Sequence, residues 1–372
     1  MPEYRTGDAE PEVTETDLAM ATTPPPADGK RRAVFVAGSG RSGTSLMSGI
    51  LKHLGLHVPE PEVVADTTNP KGFGEPQWVV DFHEQLLRRA NVGVGDARPD
   101  AWFDTGRVGL QEAHRAALSD WLDQQFGTAD ALVIKDPRLS WFLAMWQVAA
   151  VRAGATTATV TMLRPPPEVV GSKNTYYGGR LGDISRLAGW VNVMLCTERA
   201  TRGSNRSFVR YHDLLTDWTS SVVRVGEELG VEQIALARMR DMREVHEFVD
   251  PSLRRVRATW DDLSVPRPLR EIAEAAWEQL NLLAEPGEDR PEVHAALDDL
   301  RRGYAAMYAE AEALVDSSIV AAGPAYARAQ RQARAAAAAR EAEQQEAATP
   351  KGPAVQRARR AAGRVKRRLQ GQ

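Results

Sequence analysis

The chain has 372 residues, 43% hydrophobic and 26% charged, which fits a globular protein with one large core. A net charge of -3 leaves no general nucleic-acid footprint, so no nucleic-acid partner is expected. Cys196 is the single cysteine, which excludes an intrachain disulfide and a thiolate metal cluster and points to a cytoplasmic setting.

Residues 1–30, with Pro24-Pro25-Pro26, offer little to bury and read as a disordered leader without the apolar core of a secretory signal. Ala33–Ala37 is a short apolar run, predicted as a buried parallel strand. A glycine-rich turn follows, and a helix is predicted from Leu46 to about Leu54; strand, loop and helix open a βαβ unit. Ala131–Ile134 is predicted as a second strand, ending in Lys135-Asp136-Pro137-Arg138 before a helix over Leu139–Val151. Thr157–Leu163 is a third, ending in Arg164-Pro165-Pro166-Pro167, and Ser207–Tyr211 a fourth, before a helix from about Asp213. This alternation predicts a P-loop-like parallel sheet with helices on both faces, over residues 31–260. Ligands of such sheets sit beyond the carboxyl ends of the strands, where charged or glycine-rich loops follow all four runs.

Amphipathic patterns at Leu269–Leu283 and Pro291–Leu314 predict a C-terminal helical extension over residues 261–324. Residues 325–372 form an Ala/Arg-rich stretch, disordered or helical, that ends in a basic tail. Its last part, Lys351–Gln372, carries eight Lys or Arg and no acid. Val355, Ala358, Ala362, Val365 and Leu369 recur there at helical spacing, which would suit an anionic membrane surface. A solvated tail is the plain alternative.

Gly38–Ser45 is where chemistry is legible. Its glycines let backbone N–H groups turn toward one point, and the following helix adds its positive end. Arg41 adds a permanent charge, and Ser42, Thr44 and Ser45 add hydroxyls. The loop approaches the nucleotide-triphosphatase pattern G-x-x-x-x-G-K-[ST], but Thr44 stands where the lysine belongs. An atypical small-molecule kinase, or a non-catalytic nucleotide-binding or scaffold protein, is the alternative reading. The seven histidines do not cluster with acids at ligand spacing, so no metal is expected.

These residues resemble the sulfotransferases that use 3′-phosphoadenosine 5′-phosphosulfate, in the form of the tyrosylprotein and bacterial carbohydrate enzymes. Gly38 to Ser45 is similar to their 5′-phosphosulfate loop. Arg164, with Ser172 eight residues on, has the spacing of their 3′-phosphate pair. Lys135-Asp136-Pro137 is similar to a third signature. The resemblance implies that Gly40, Arg41, Ser42, Gly43, Thr44, Ser45, Arg164 and Ser172 bind the nucleotide co-substrate without metal. It implies catalytic roles for Arg41 and Lys135, and a hydroxyl or amine acceptor, a carbohydrate or glycolipid by analogy. Asn69–Glu75 resembles a segment in which a glutamate faces the acceptor, so Glu75 is the first choice of general base. His83 is the second, although Val79, Val80, His83, Leu86 and Leu87 share a helical face that suits a packed histidine. Glu62 is the third. Asp136 reads as a turn-holding partner and Arg138 as a second cation. Tyr211 could lie near the adenine, and Phe73 and Trp78 could form an acceptor platform. Leu56–Phe73 and Asn91–Arg107 read as acceptor loops. Cys196, in an apolar run, reads as a buried hydrophobe.

Overall fold

Strand β1 (Arg32–Ala37) divides its side chains between two cores. Ala33, Phe35 and Ala37 enter one and Val34 and Val36 the other, as the two-residue period of a strand requires. The computed structural model describes residues 31–178, 181–254 and 256–316. The expected leader at 1–30 and the basic tail at 325–372 lie outside the described residues.

β2 (Ala131–Lys135), β3 (Thr156–Leu163) and β4 (Arg206–Arg210) join β1 in a parallel sheet of order β2-β1-β3-β4. In chain order the helices are α1 (Thr44–His53), α2 (Gln77–Ala90), α3 (Ala101–Gly109), α4 (Glu112–Phe126), α5 (Leu143–Arg152), α6 (Pro166–Tyr177), α7 (Asp183–Thr201), α8 (Tyr211–Leu229), α9 (Glu232–Ala235), α10 (Met239–Phe248) and α11 (Arg267–Leu282). On one face α2, α4 and α5 enclose Phe35, Ile134, Trp121 and Trp146. On the other α1, α8 and α10 cover Val34, Val133, Val160 and Val209. The fold is thus α/β, with a parallel sheet between two helical layers. The chain turns to opposite sides of β1 to reach β2 and β3, so the crevice above β1 and β3 is the switch point at which such sheets bind ligands.

Two sequence expectations change. The run from Leu139 to Val151 is not one helix: a 3-10 turn, Pro137–Trp141, precedes α5, with Phe142 at φ -125° between them. The Asp136 carboxylate accepts the Arg138 N–H at 2.6 Å and caps that tight turn, so the chain winds once before the α-helix begins. The stretch from 91 to 107 is only half loop, because α3 starts at Ala101 and buries Ala101, Thr105 and Val108.

α11 and the helix that begins at residue 291 pack with α6 and α7 around Leu163 and Phe208, burying Leu280, Leu297 and Tyr304. The described residues up to Tyr308 form one compact unit. Residues 309–316 are helical and belong to a second unit.

Candidate active site

The loop after β1 is shaped by positions that tolerate few other residues. Gly38 has φ +122°, and a Cβ there would lie 2.8 Å from the Met162 carbonyl oxygen on β3. Gly43 has φ +93°, and a Cβ there would lie 2.3 Å from the Tyr211 ring. Arg41 also adopts a positive φ, 76°, without being glycine, a strained backbone of the kind that functional loops retain. Arg164 Nη1 donates to the Arg41 carbonyl oxygen at 3.0 Å and helps hold it there. Gly43 caps α1 without a side chain, so the first-turn N–H groups keep their donor capacity for an anion. Ser42 Oγ is buried and has no partner, an unsatisfied polar atom inside the loop.

Beside this loop lies a cleft of about 900 Å³, large enough for a nucleotide together with part of a second molecule. Gly40, Arg41, Gly43, Thr44, Ser45, Glu75, Lys135, Arg164 and Ser172 all line it. Residues from 40 to 172 thus meet around one cleft. Ser42 and His83 do not line it. Ser42 faces inward from the loop, and His83 lies in the core behind the wall.

Arg41 Nε donates to Ser172 Oγ at 3.0 Å, and its guanidinium stacks over Tyr176 at 4.5 Å. Arg164 stacks over Tyr211 at 4.6 Å and donates through Nε to Glu168 at 2.9 Å. Burial pushes the Glu168 carboxyl up, but hydrogen bonds from His212, Arg254 and Arg164 outweigh it and hold the group down to about 2. Glu168 thus fixes Arg164 rather than competing for a ligand.

Lys135 and Glu75 form a buried ion pair, and Lys135 Nζ also donates to Ser45 Oγ at 3.1 Å. Glu75 reaches this place because residues 61–76 fold back on themselves: Val63 N–H donates to the Glu75 carbonyl oxygen at 2.8 Å, and Gln77 N–H to that of Pro61 at 2.8 Å. Ser48 Oγ on α1 then holds the Gly74 carbonyl oxygen at 3.1 Å. Burial raises the Glu75 carboxyl above the usual range; Lys135 pulls it down and Asp136 pushes it up again.

His83 Nε2 accepts the Trp146 Nε1–H at 2.7 Å, and its Nδ1 faces Asp136 at 3.6 Å. Fully buried, with Nε2 engaged by Trp146 and Nδ1 only facing Asp136, this histidine lies away from the cleft. Asp136 is pushed up by burial and down further by His83 and Arg138, ending below its ordinary value. It also pairs with Arg138, whose Nη2 reaches Glu84 at 2.8 Å. Trp78 stacks between Phe82 and Trp121, at 4.8 and 4.5 Å, as core; Phe73 does line the cleft. Glu62 pairs with Lys52 and lines a smaller neighbouring cavity. Cys196 is buried, and burial pushes its thiol up to about 12.

Sequence reasoning missed Lys173 and Arg186 on the far wall, while its expected acceptor loop Asn91–Arg107 contributes the segment 93–98. Asn192 Nδ2 pins that segment through the carbonyls of Asp96 and Arg98, at 3.0 and 2.7 Å. The only signal for Lys173 was its place beside Ser172 in the helix that follows the strand-end Arg164.

Fold and site together define an α/β protein with a cleft beyond the carboxyl edge of a parallel sheet, lined by Arg41, Lys135, Arg164 and Lys173. No protein-family model and no curated protein sequence matches the chain. Its structure is similar to the "Sulfotransferase Domain from the Synechococcus PCC 7002 Olefin Synthase", at TM-score 0.41 and 16% identity over 68% of this chain and 94% of that one. It is also similar to the "Sulfotransferase Domain from the Curacin Biosynthetic Pathway", at TM-score 0.37 and 16% identity over 68% of this chain and 98% of that one.

Proposed function

We propose that this protein transfers a sulfuryl group from 3′-phosphoadenosine 5′-phosphosulfate to a hydroxyl acceptor. The observation that carries the reading is the Arg41–Ser172 hydrogen bond beside Arg164. It joins a loop suited to the 5′ end of the donor to an Arg/Ser pair suited to a 3′-phosphate, within one cleft. The uncapped first turn of α1, with Thr44 and Ser45 on the cleft wall, supplies donors for the 5′-phosphate.

In the reaction the acceptor oxygen bonds to sulfur while the bond from sulfur to the bridging 5′-phosphate oxygen breaks. The acceptor proton passes to a Glu75 carboxylate oxygen, and adenosine 3′,5′-bisphosphate leaves. Glu75 suits this role because burial raises its proton affinity while the Lys135 charge favours its ionised form. Once Glu75 takes the proton, the Lys135 ammonium loses its partner and its charge becomes available to the leaving oxygen. Arg41, freed from Ser172, offers a second cation there.

A carbohydrate or glycolipid acceptor was the expectation from resemblance. Phe73, Val94, Leu181, Leu215 and Phe248 on the cleft wall favour an acceptor with an apolar body over a bare sugar. Among the described residues no helix is long and apolar enough to cross a membrane.

Calorimetric titration tests the reading. Binding of adenosine 3′,5′-bisphosphate without added metal, and more tightly than ATP with magnesium, is the expected result. Preference for ATP with magnesium, or binding of neither, overturns it.

A further inference from the structure

Lys173 follows Ser172 on α6 and enters the cleft about a quarter-turn of helix away from it. Its Nζ donates to Ser39 Oγ at 3.1 Å, two residues before Arg41 in the phosphate loop. Gly95, on the opposing segment, stands so close that a Cβ there would lie 3.9 Å from that nitrogen.

Most other cations around it are matched, whereas Arg41 rests on Ser172 Oγ and the Tyr176 ring and Lys71 on the Phe248 carbonyl. Lys135 has Glu75, Arg138 has Asp136 and Glu84, Arg164 has Glu168, and Arg98 has Asp96. Lys173 has no carboxylate partner among the described residues. Arg186 on α7 gives Nε to the Leu181 carbonyl and Nη2 to that of Gly178, and it too has no carboxylate. Two uncompensated positive charges therefore stand together in a half-buried wall, an arrangement that is costly until an anion joins it.

Resting on the donor reading above, we infer that Lys173 holds an oxygen of the transferring sulfuryl group, with Arg186 reinforcing the positive field behind it. This makes Lys173 a further catalytic residue. Arg164 and Ser172 serve the far phosphate, and the N–H groups of the loop serve the near one. The sulfuryl group, at the loop's edge beside Ser39, is the anion left without a cation on the side of the 93–98 wall. Its placement there orients sulfur for in-line attack.

The charged and titratable groups on the surrounding elements are Arg186 on α7, Asp96 and Arg98 on the 93–98 segment, Arg41 on the loop, and Tyr176 and Tyr177 on α6. Burial, then the charge of Arg186, lowers the Lys173 ammonium to about 8. Donor binding should therefore be strongest below that pH and weaken above it.

The test is calorimetry on the full chain with two probes, the phosphosulfate donor and adenosine 3′,5′-bisphosphate, which lacks the sulfuryl group. Lys173→Met should weaken the donor about tenfold and leave the bisphosphate within about twofold, as loss of one charge-assisted hydrogen bond predicts. In the wild type, preference for the donor over the bisphosphate should decline as pH rises through about 8. Lys173→Arg, which stays charged, should keep that preference at high pH. Equal losses for both probes, or none, overturn the inference while the donor reading stands. A wild-type protein that binds neither probe overturns both.

Discussion

Arg41 Nε and Ser172 Oγ, 131 positions apart, meet at 3.0 Å. The charged residue of the phosphate loop thus rests on the serine paired with Arg164, stacked over Tyr176. Arg41→Ala should lower sulfuryl transfer by about 10²–10³-fold, the usual effect of deleting one charge-stabilising donor. Its affinity for adenosine 3′,5′-bisphosphate should change far less. Ser172→Ala should narrow the preference for that bisphosphate over adenosine 5′-monophosphate by about fivefold, read by calorimetry. An unchanged preference would remove Ser172 from the 3′ end.

Two substitutions at Glu75 separate catalysis from folding. Glu75→Gln keeps a hydrogen-bond partner for Lys135 but cannot take a proton, so turnover should fall by about 10²–10⁴-fold with little change in Tm. Glu75→Ala leaves the Lys135 ammonium buried and unpaired and should cost about 3–5 kcal/mol of stability. Transfer of labelled sulfate and thermal melts read the two. Normal turnover in Glu75→Gln would place the base elsewhere.

Acid stability should report on Glu168. Its carboxyl is held down to about 2 in the folded protein, against an ordinary value near 4.5. A depressed carboxyl contributes stability that is present above 4.5 and lost as pH falls toward 2. Glu168→Gln should therefore lower stability at pH 7, by roughly 2–3 kcal/mol, and flatten the acid limb between about pH 5 and 2. Denaturant titrations across that range measure both.

Glycine substitutions test the far wall. A Cβ at Gly189 would meet the Gly95 carbonyl oxygen at 2.2 Å, a backbone atom that cannot step aside cheaply. Gly189→Ala should cost about 1–3 kcal/mol and displace the 93–98 segment. Gly106 in α3 has open space at the same position, and Gly106→Ala should stabilise by about 0.5–1 kcal/mol. Paired melting curves decide the contrast.

The sheet was legible because each strand is a short apolar run that stops at a charged or glycine-rich turn: Ala37 before Gly38, Ile134 before Lys135, Leu163 before Arg164. Those stops placed the cleft as well. His83 is the second candidate base by sequence, yet the period of Val79, Val80, His83 and Leu86 offers the packed alternative that the structure has. The route of residues 61–76 was not legible, since it depends on single backbone bonds and on Ser48 holding Gly74 rather than on any periodicity. Lys173 was missed for a related reason. An ammonium becomes a site residue through what surrounds it, here Ser39 and Gly95, and both lie far off in the chain.

The segment 93–98 is held by residues that follow it by nearly a hundred positions or more. Gly189 admits its backbone, Asn192 ties its carbonyls, and the Tyr304 hydroxyl lies within hydrogen-bond reach of the Ala97 and Ala188 carbonyl oxygens, to one of which its proton is donated. A chain growing from its amino end can therefore form β1 and its loop long before this wall has anything to lean on. Closure waits for Tyr304, and such long-range contacts carry the entropy cost that slows folding. The nucleotide side can assemble early, whereas the cleft gains its second side only when nearly the whole described chain has been made.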